Sequence, residues 1–259
     1  KCPREFYYTY IMKEKIAINI HLIKGSVVHK VLEDFYKSFQ SDAEVWLIEH
    51  FGQEWKKSEN QLKMLEMSDE DLELHKNDGL RMVTDFYWLH KRKMDALVLN
   101  EKAENEQHAF YLTKPKFREL RVQSEKLKVR GMIDRIHKDY DGLITLGDYK
   151  TSSKFGIGLP EAYKRQLAIY ALMYEEVKQE MPDFVAIIFL RYGEEFLLEV
   201  TPSLLRYARD CISHVWDSTR STSIEDYPLH EGSLCRWCSF RSLCSGEAEF
   251  NKKKRKEEL

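Results

Sequence analysis

The chain has 259 residues, 43% hydrophobic and 32% charged, enough to bury a core as one large domain or two small ones. With 41 basic against 43 acidic residues the net charge is −2, so no global positive field marks a nucleic-acid partner. No apolar run approaches the roughly 20 residues of a membrane-spanning helix; the longest, FVAIIFL, is strand-sized. No signal peptide is visible, the chain begins at Lys1 without a Met and so leaves room for an upstream piece, and the cytoplasm is the expected compartment.

In chain order, residues 25–39 (GSVVHKVLEDFYKSF) set Val28, Leu32, Phe35 and Phe39 at the spacing of one helical face. Residues 43–66 and 70–100 continue in helical style, with a break near Met67 and Ser68. From about residue 108 the texture changes. Residues 110–112, 118–123, 126–137 and 142–150 read as successive strands, with Asp141 and Gly142 in a hairpin turn. Residues 160–180 return to helix, 184–192 and 195–200 are strands, 202–218 is helix, and a cysteine-rich loop follows. This order predicts an α/β core with a helical block inserted before it.

Charge is unevenly spread. Residues 112–130 are strongly basic, and the tail 251–259 (NKKKRKEEL) is basic and then acidic. The lysines and arginines of 114–130 are candidates for phosphate contacts, against the more frequent role of such a run as a solvated strand face. Phe86, Tyr87 and Trp88 are candidates for base stacking, against ordinary core packing at helical spacing.

Chemistry concentrates in GMIDRIHKDYDGLITLGDYKTSSK, residues 131–154. Asp134 lies in the first strand, and the second ends Asp148, Tyr149, Lys150. Strand alternation turns Asp148 and Lys150 to one side and Tyr149 to the other. With Asp134 on the neighbouring strand, both carboxylates converge on one point. Such a pair suits Mg²⁺ or Mn²⁺, held by Asp oxygens and a backbone carbonyl, with water and substrate phosphate in the remaining positions. The metal activates water and neutralises charge on the phosphate, while the lysine orients that water or stabilises the transition state. Phosphodiester hydrolysis is the reaction these parts serve. An isolated Asp-x-Lys triplet is more often a surface salt bridge; the upstream Gly131-x-x-Asp134 and the turn shift the balance.

Gly131-Met-Ile-Asp-Arg-Ile, followed about a dozen residues later by Gly147-Asp-Tyr-Lys-Thr, resembles the active-site hairpin of the PD-(D/E)xK nucleases, in their RecB-like branch. That branch also carries a His in an early helix and a Gln-x-x-x-Tyr after the lysine. Here His29 sits in GSVVHKVLE, and Gln166 and Tyr170 sit in RQLAIY, four apart on one helical face. The resemblance implies an α/β, restriction-endonuclease-like core: a central mixed β-sheet flanked by helices, with a helical insertion and a C-terminal cysteine-rich metal-cluster loop. It implies a single nuclease domain over 1–259. Residues 1–40 would carry a cluster cysteine and the His helix, 41–107 a helical insertion or arch, 108–200 the catalytic core, and 201–259 the last helix and the cysteine-rich segment. It makes His29, Asp134 and Asp148 metal ligands, with the Tyr149 carbonyl as another, and Lys150 the catalytic lysine. Gln166 and Tyr170 would contact DNA or brace the site, and Glu119 would be an extra acidic group.

There are five cysteines, an odd count that argues against a disulfide framework. Cys235, Cys238 and Cys244 give three thiolates in one loop, and a tetrahedral metal or a cubane cluster needs a fourth. Cys211 falls mid-helix among apolar neighbours and reads as a small core residue, which leaves Cys2 as the better candidate. One cysteine at the start and three at the end resemble the iron–sulfur exonucleases, including CRISPR-associated members and the nuclease domain of the AddAB helicase–nuclease. There a [4Fe–4S] cluster staples the two ends together. Structural Zn²⁺ on four Cys is the alternative.

The expected activity is a metal-dependent DNA exonuclease working from single-stranded or frayed ends, with DNA as partner, possible protein partners in DNA repair, recombination or CRISPR adaptation, and no membrane. The alternatives are a DNA-binding or assembly subunit with a subordinate nuclease site, and an endonuclease using the same chemistry.

Overall fold

A computed structural model of the chain describes residues 2–152 and 158–245, so the charged tail 251–259 lies outside the described residues. Its contacts divide into two units, residues 1–18 with 214–259, and residues 19–213.

The first unit joins the two ends of the sequence. Helix α1 (Pro3–Phe6) starts on a proline, whose missing N–H is no loss at that position, and runs on as a π-helical turn, Tyr7–Ile11. Phe6 and Tyr7 pack on Tyr227, Tyr8 packs on Phe240, and the Ala17 N–H donates to Ser239 Oγ at 3.2 Å. These contacts hold the N-terminal segment to the cysteine-bearing one, which contains the 3₁₀ turns Ile224–Asp226 and Ser233–Trp237.

The second unit begins with helices α2 (Ile20–Phe35), α3 (Ala43–Lys57), α4 (Glu59–Lys63), α5 (Asp69–Leu99) and α6 (Glu106–Thr113). The break expected near Met67 is the N-cap of α5, where Ser68 Oγ accepts the Asp71 N–H at 3.1 Å. Five strands follow in sheet order β1 (Phe117–Ser124), β2 (Val129–Lys138), β3 (Ile144–Lys150), β4 (Phe184–Phe189) and β5 (Glu194–Glu199). Strands β3 and β4 are parallel and the other pairs antiparallel, so the sheet is mixed. The parallel pair requires a crossover, which is α7 (Glu161–Lys178). Helix α8 (Pro202–Ser218) comes after β5.

Strand alternation feeds two apolar clusters, one for each sheet face. Tyr149 and Ile188 join Val28, Phe35, Tyr36 and Phe86 of α2 and α5. Leu146, Val185 and Ile187 join Leu167, Ala171 and Leu172 of α7 and Leu205 of α8. This is the restriction-endonuclease-like arrangement, a mixed sheet flanked by helices.

Two expectations change. Residues 110–112 belong to helix α6, not to a strand: the Asn105 side chain accepts the His108 N–H at 2.9 Å and opens the helix. Phe110 then packs against Phe35 and stacks on Tyr36, so it faces the core while Tyr111 is half exposed. Of the stacking candidates, Phe86 and Tyr87 take the core packing that helical spacing favours and are unavailable to bases, while Trp88 is 48% exposed. Cys211 is half-buried rather than a core residue. Among the described residues no helix is long and apolar enough to cross a membrane.

Candidate active site

The hairpin turn lets the chain reverse through Gly142, whose φ of +87° is in the left-handed region open to glycine. From there β2 and β3 pair back to Arg135 opposite Gly147, and the same register sets Asp134 opposite Asp148. Here the backbone ladder gives way. The Tyr149 N–H donates to Asp134 Oδ2 at 2.7 Å rather than to a carbonyl. On the other side of β2, Arg118 and Leu120 pair with Arg135 and Ile133, which sets Glu119 beside Asp134. Glu119 has φ +47°, a conformation costing a non-glycine residue on the order of 1 kcal/mol.

Helix α2 supplies His29. Its Nδ1 lies 3.4 Å from Asp134 Oδ2 and 3.7 Å from Glu119 Oε1. One ligand atom from each of His29, Glu119 and Asp134 lies within 4.8 Å of the others. Asp148 is outside that set because its carboxylate turns towards α7. Its Oδ1 accepts from Gln166 Nε2 at 2.8 Å, and Lys150 Nζ stands 2.6 Å from its Oδ2. Oδ2 is buried, and the ammonium pairs with it. Lys150 also donates to Gln166 Oε1 at 2.9 Å, and Gln166 Nε2 also donates to Tyr170 OH at 2.8 Å. The four-residue spacing of Gln166 and Tyr170 on α7 brings both side chains to Asp148. The Tyr149 and His29 rings meet at right angles with centroids 5.9 Å apart.

Asp134 and Asp148 are both buried, and an uncompensated buried carboxylate is costly. The titration of the group records this. Burial, then the like charge of Asp134, pushes Asp148 up to about 6 against the pull of Lys150. Burial opposes the charging of His29, but the Asp134 and Glu119 carboxylates outweigh it and hold the imidazolium to about 10. Burial and the Asp148 charge raise the Tyr170 phenol. Among the described residues, three carboxylates thus face one imidazole and one ammonium. A hard divalent cation suits this donor set, mostly oxygen with one imidazole, and the buried Asp148 carboxylate lies beside it. Metal at His29 must displace its Nδ1 proton, since one lone pair cannot hold both.

Sequence reasoning passed over Arg135, whose side chain runs across Gly147; a glycine inside a strand was the available signal. In the first unit, Cys2 is the N-cap of α1, Cys235 lies in the Ser233–Trp237 turn, Cys238 caps that turn, and Cys244 follows. All four are half-buried. Among the described residues no three cysteine sulfurs come within 4.8 Å of one another.

The sequence model of the PD-(D/E)XK nuclease superfamily matches residues 1–245. No curated protein matches. Among 22 matching solved chains is the crystal structure of a "Putative exonuclease" from Eubacterium rectale. It is 12% identical and is matched over 91% of this chain and 85% of its own, with a TM-score of 0.47.

Proposed function

The chain belongs to the PD-(D/E)XK nuclease superfamily, and from that premise we propose that it is a divalent-metal-dependent exonuclease acting on single-stranded or frayed DNA ends. The support is one observation: His29, Glu119 and Asp134 meet the Asp148–Lys150–Gln166 network at the end of a single hairpin. In this reading Asp134, Asp148, Glu119, His29 and the Tyr149 carbonyl hold Mg²⁺ or Mn²⁺. When bound, the ion supplies positive charge that activates water and offsets charge growing on the scissile phosphate. Lys150 presents its remaining N–H donors to that water or to a phosphate oxygen. Gln166, bonded to Tyr170, accepts from Lys150 and donates to Asp148, which orients the ammonium beside the carboxylate.

The test is digestion of end-labelled linear single-stranded DNA with Mg²⁺ or Mn²⁺, beside a circular strand and the Asp148→Ala variant. Loss of the linear strand from one end, an intact circle and an inert variant are expected. A cut circle makes the enzyme an endonuclease, and an unchanged variant ends the nuclease assignment.

The same reading gives Cys2, Cys235, Cys238 and Cys244 a [4Fe–4S] cluster. They share one unit, and their one-plus-three arrangement along the chain differs from the two local pairs more usual for zinc. Thiolate ligation then couples folding to metal, and the cytoplasm is the compartment in which such thiols stay reduced. Protein prepared anaerobically should absorb near about 400 nm, and Cys235→Ser should lose the colour. Colourless protein carrying stoichiometric zinc would overturn the cluster.

A further inference from the structure

Arg135 follows a metal-site carboxylate in sequence yet points away from it. Across the β2–β3 register it faces Gly147, and its side chain lies over that glycine. A Cβ at position 147 would come within 2.5 Å of Arg135 Nε and 2.7 Å of Cγ. The glycine opens a lane across β3. Along it the guanidinium reaches Glu195 on β5, with Nη2 2.6 Å from the carboxylate, and Lys93 of α5 braces the same carboxylate at 3.3 Å. On the way it passes the Tyr149 ring, 5.9 Å from guanidinium carbon to centroid.

Tyr149 is the hub. It is buried, its N–H is donated to Asp134, and its ring meets His29, Phe86 and the Arg135 guanidinium. A buried ion pair by itself is weak ground for a stabilising role, because apolar replacements often serve as well. An apolar side chain would not span from β2 to β5 while pinning the Tyr149 ring.

We propose that Arg135, running over Gly147 to Glu195, is a positioning residue that fixes Tyr149 and through it orients Asp134 and His29 for the cation. The inference rests on the reading that these residues hold a divalent ion. Its test is Mn²⁺ binding without DNA, followed by the spin-resonance signal of free Mn²⁺, an ion with little affinity for thiolates.

Wild type should bind and Asp134→Ala should not. Arg135→Gln, Glu195→Gln and Gly147→Ala should each weaken binding by about 10-fold, within the range for residues that orient metal ligands. In an Arg135→Ala background, Gly147→Ala should add nothing, because the side chain it collides with is gone. Wild-type affinity in Arg135→Gln overturns the strap; should that variant fail to fold, wild-type affinity in Glu195→Gln overturns it. A full additional loss from Gly147→Ala on top of Arg135→Ala does the same. If wild type binds no Mn²⁺, the metal reading itself fails and the strap with it, whereas unaffected variants of a metal-binding wild type refute the strap alone.

Discussion

Two groups in the unit of residues 19–213 offer a cation the same donors, one imidazole and two carboxylates: His29, Glu119 and Asp134, and Asp34, His50 and Glu54. Each has ligand atoms within 4.8 Å of one another. They differ in what stands behind the carboxylates. Lys30 and Lys37 reach Asp34 Oδ1 at 2.9 and 2.6 Å, Lys57 reaches Glu54 Oε1 at 2.5 Å, and His50 Nε2 meets the other Asp34 oxygen at 2.9 Å. In the first group the only ion-pair partner of Glu119 and Asp134 among the described residues is His29. A full set of donors therefore does not make a metal site. One group has its charge already matched by lysines, and the other is left short of cations beside a further buried carboxylate, Asp148.

Breaking the comparison at its stronger end should have the largest effect. Asp148→Ala should lower nuclease activity on the order of 10³-fold while leaving the melting temperature unchanged or raised, since a buried carboxylate is gone. At the other end, Asp34→Asn should do the reverse. Despite burial, the lysines and His50 hold Asp34 at about 2, below its ordinary 3.8. That depression stabilises the fold by about 2 kcal/mol at neutral pH. The contribution is present above the unfolded value of 3.8 and is lost as pH falls towards 2. Urea unfolding should show the loss in Asp34→Asn, with metal-dependent activity per folded molecule intact. Lost metal dependence would mean that the two groups are not distinct in kind.

A third imidazole shows what happens with no carboxylate in contact. His90 is buried between Tyr36 and Thr113. Burial, then the charges of Arg135 and Lys93, lowers it to about 3. Its folded pKa is below the unfolded 6.5, so between those values the unfolded chain binds the extra proton and acid destabilises the fold. At pH 5 the cost is about 2 kcal/mol relative to neutral pH. His90→Gln should flatten the melting temperature over that window; an unchanged slope would assign the acid sensitivity elsewhere.

The legible parts of the site were those set by local period. Strand alternation and the Asp141–Gly142 turn fixed Asp134, Asp148 and Lys150, and a helical repeat fixed Gln166 and Tyr170. Glu119 was visible only as an extra acid, because the left-handed backbone that brings it to His29 carries no residue-type signal. Arg135 was hidden for a different reason: its partner Glu195 is 60 residues away, and only the glycine in its path is local. Among the aromatics, Phe110 looked like strand and is on a helix, while Phe86 and Tyr87 take the core packing that helical spacing favoured for them and Trp88 does not.

The smallest effect tests the comparison most closely. Lys57 is 69% exposed, so Lys57→Gln should cost less than about 1 kcal/mol, as exposed ion pairs generally do. If the lysines are nevertheless what closes the second group, removing Lys30, Lys37 and Lys57 together should open it. The Asp34 and Glu54 carboxylates would then face His50 with no ammonium between them, the condition that distinguishes the His29 group. Equilibrium dialysis should find one more Mn²⁺ per chain in the triple variant than in wild type, and Asp34→Asn added to it should remove that ion again. A triple variant that folds and takes up no further ion would show that charge compensation is not what separates the two groups, and that the geometry of α2 against α3 already forbids a metal there.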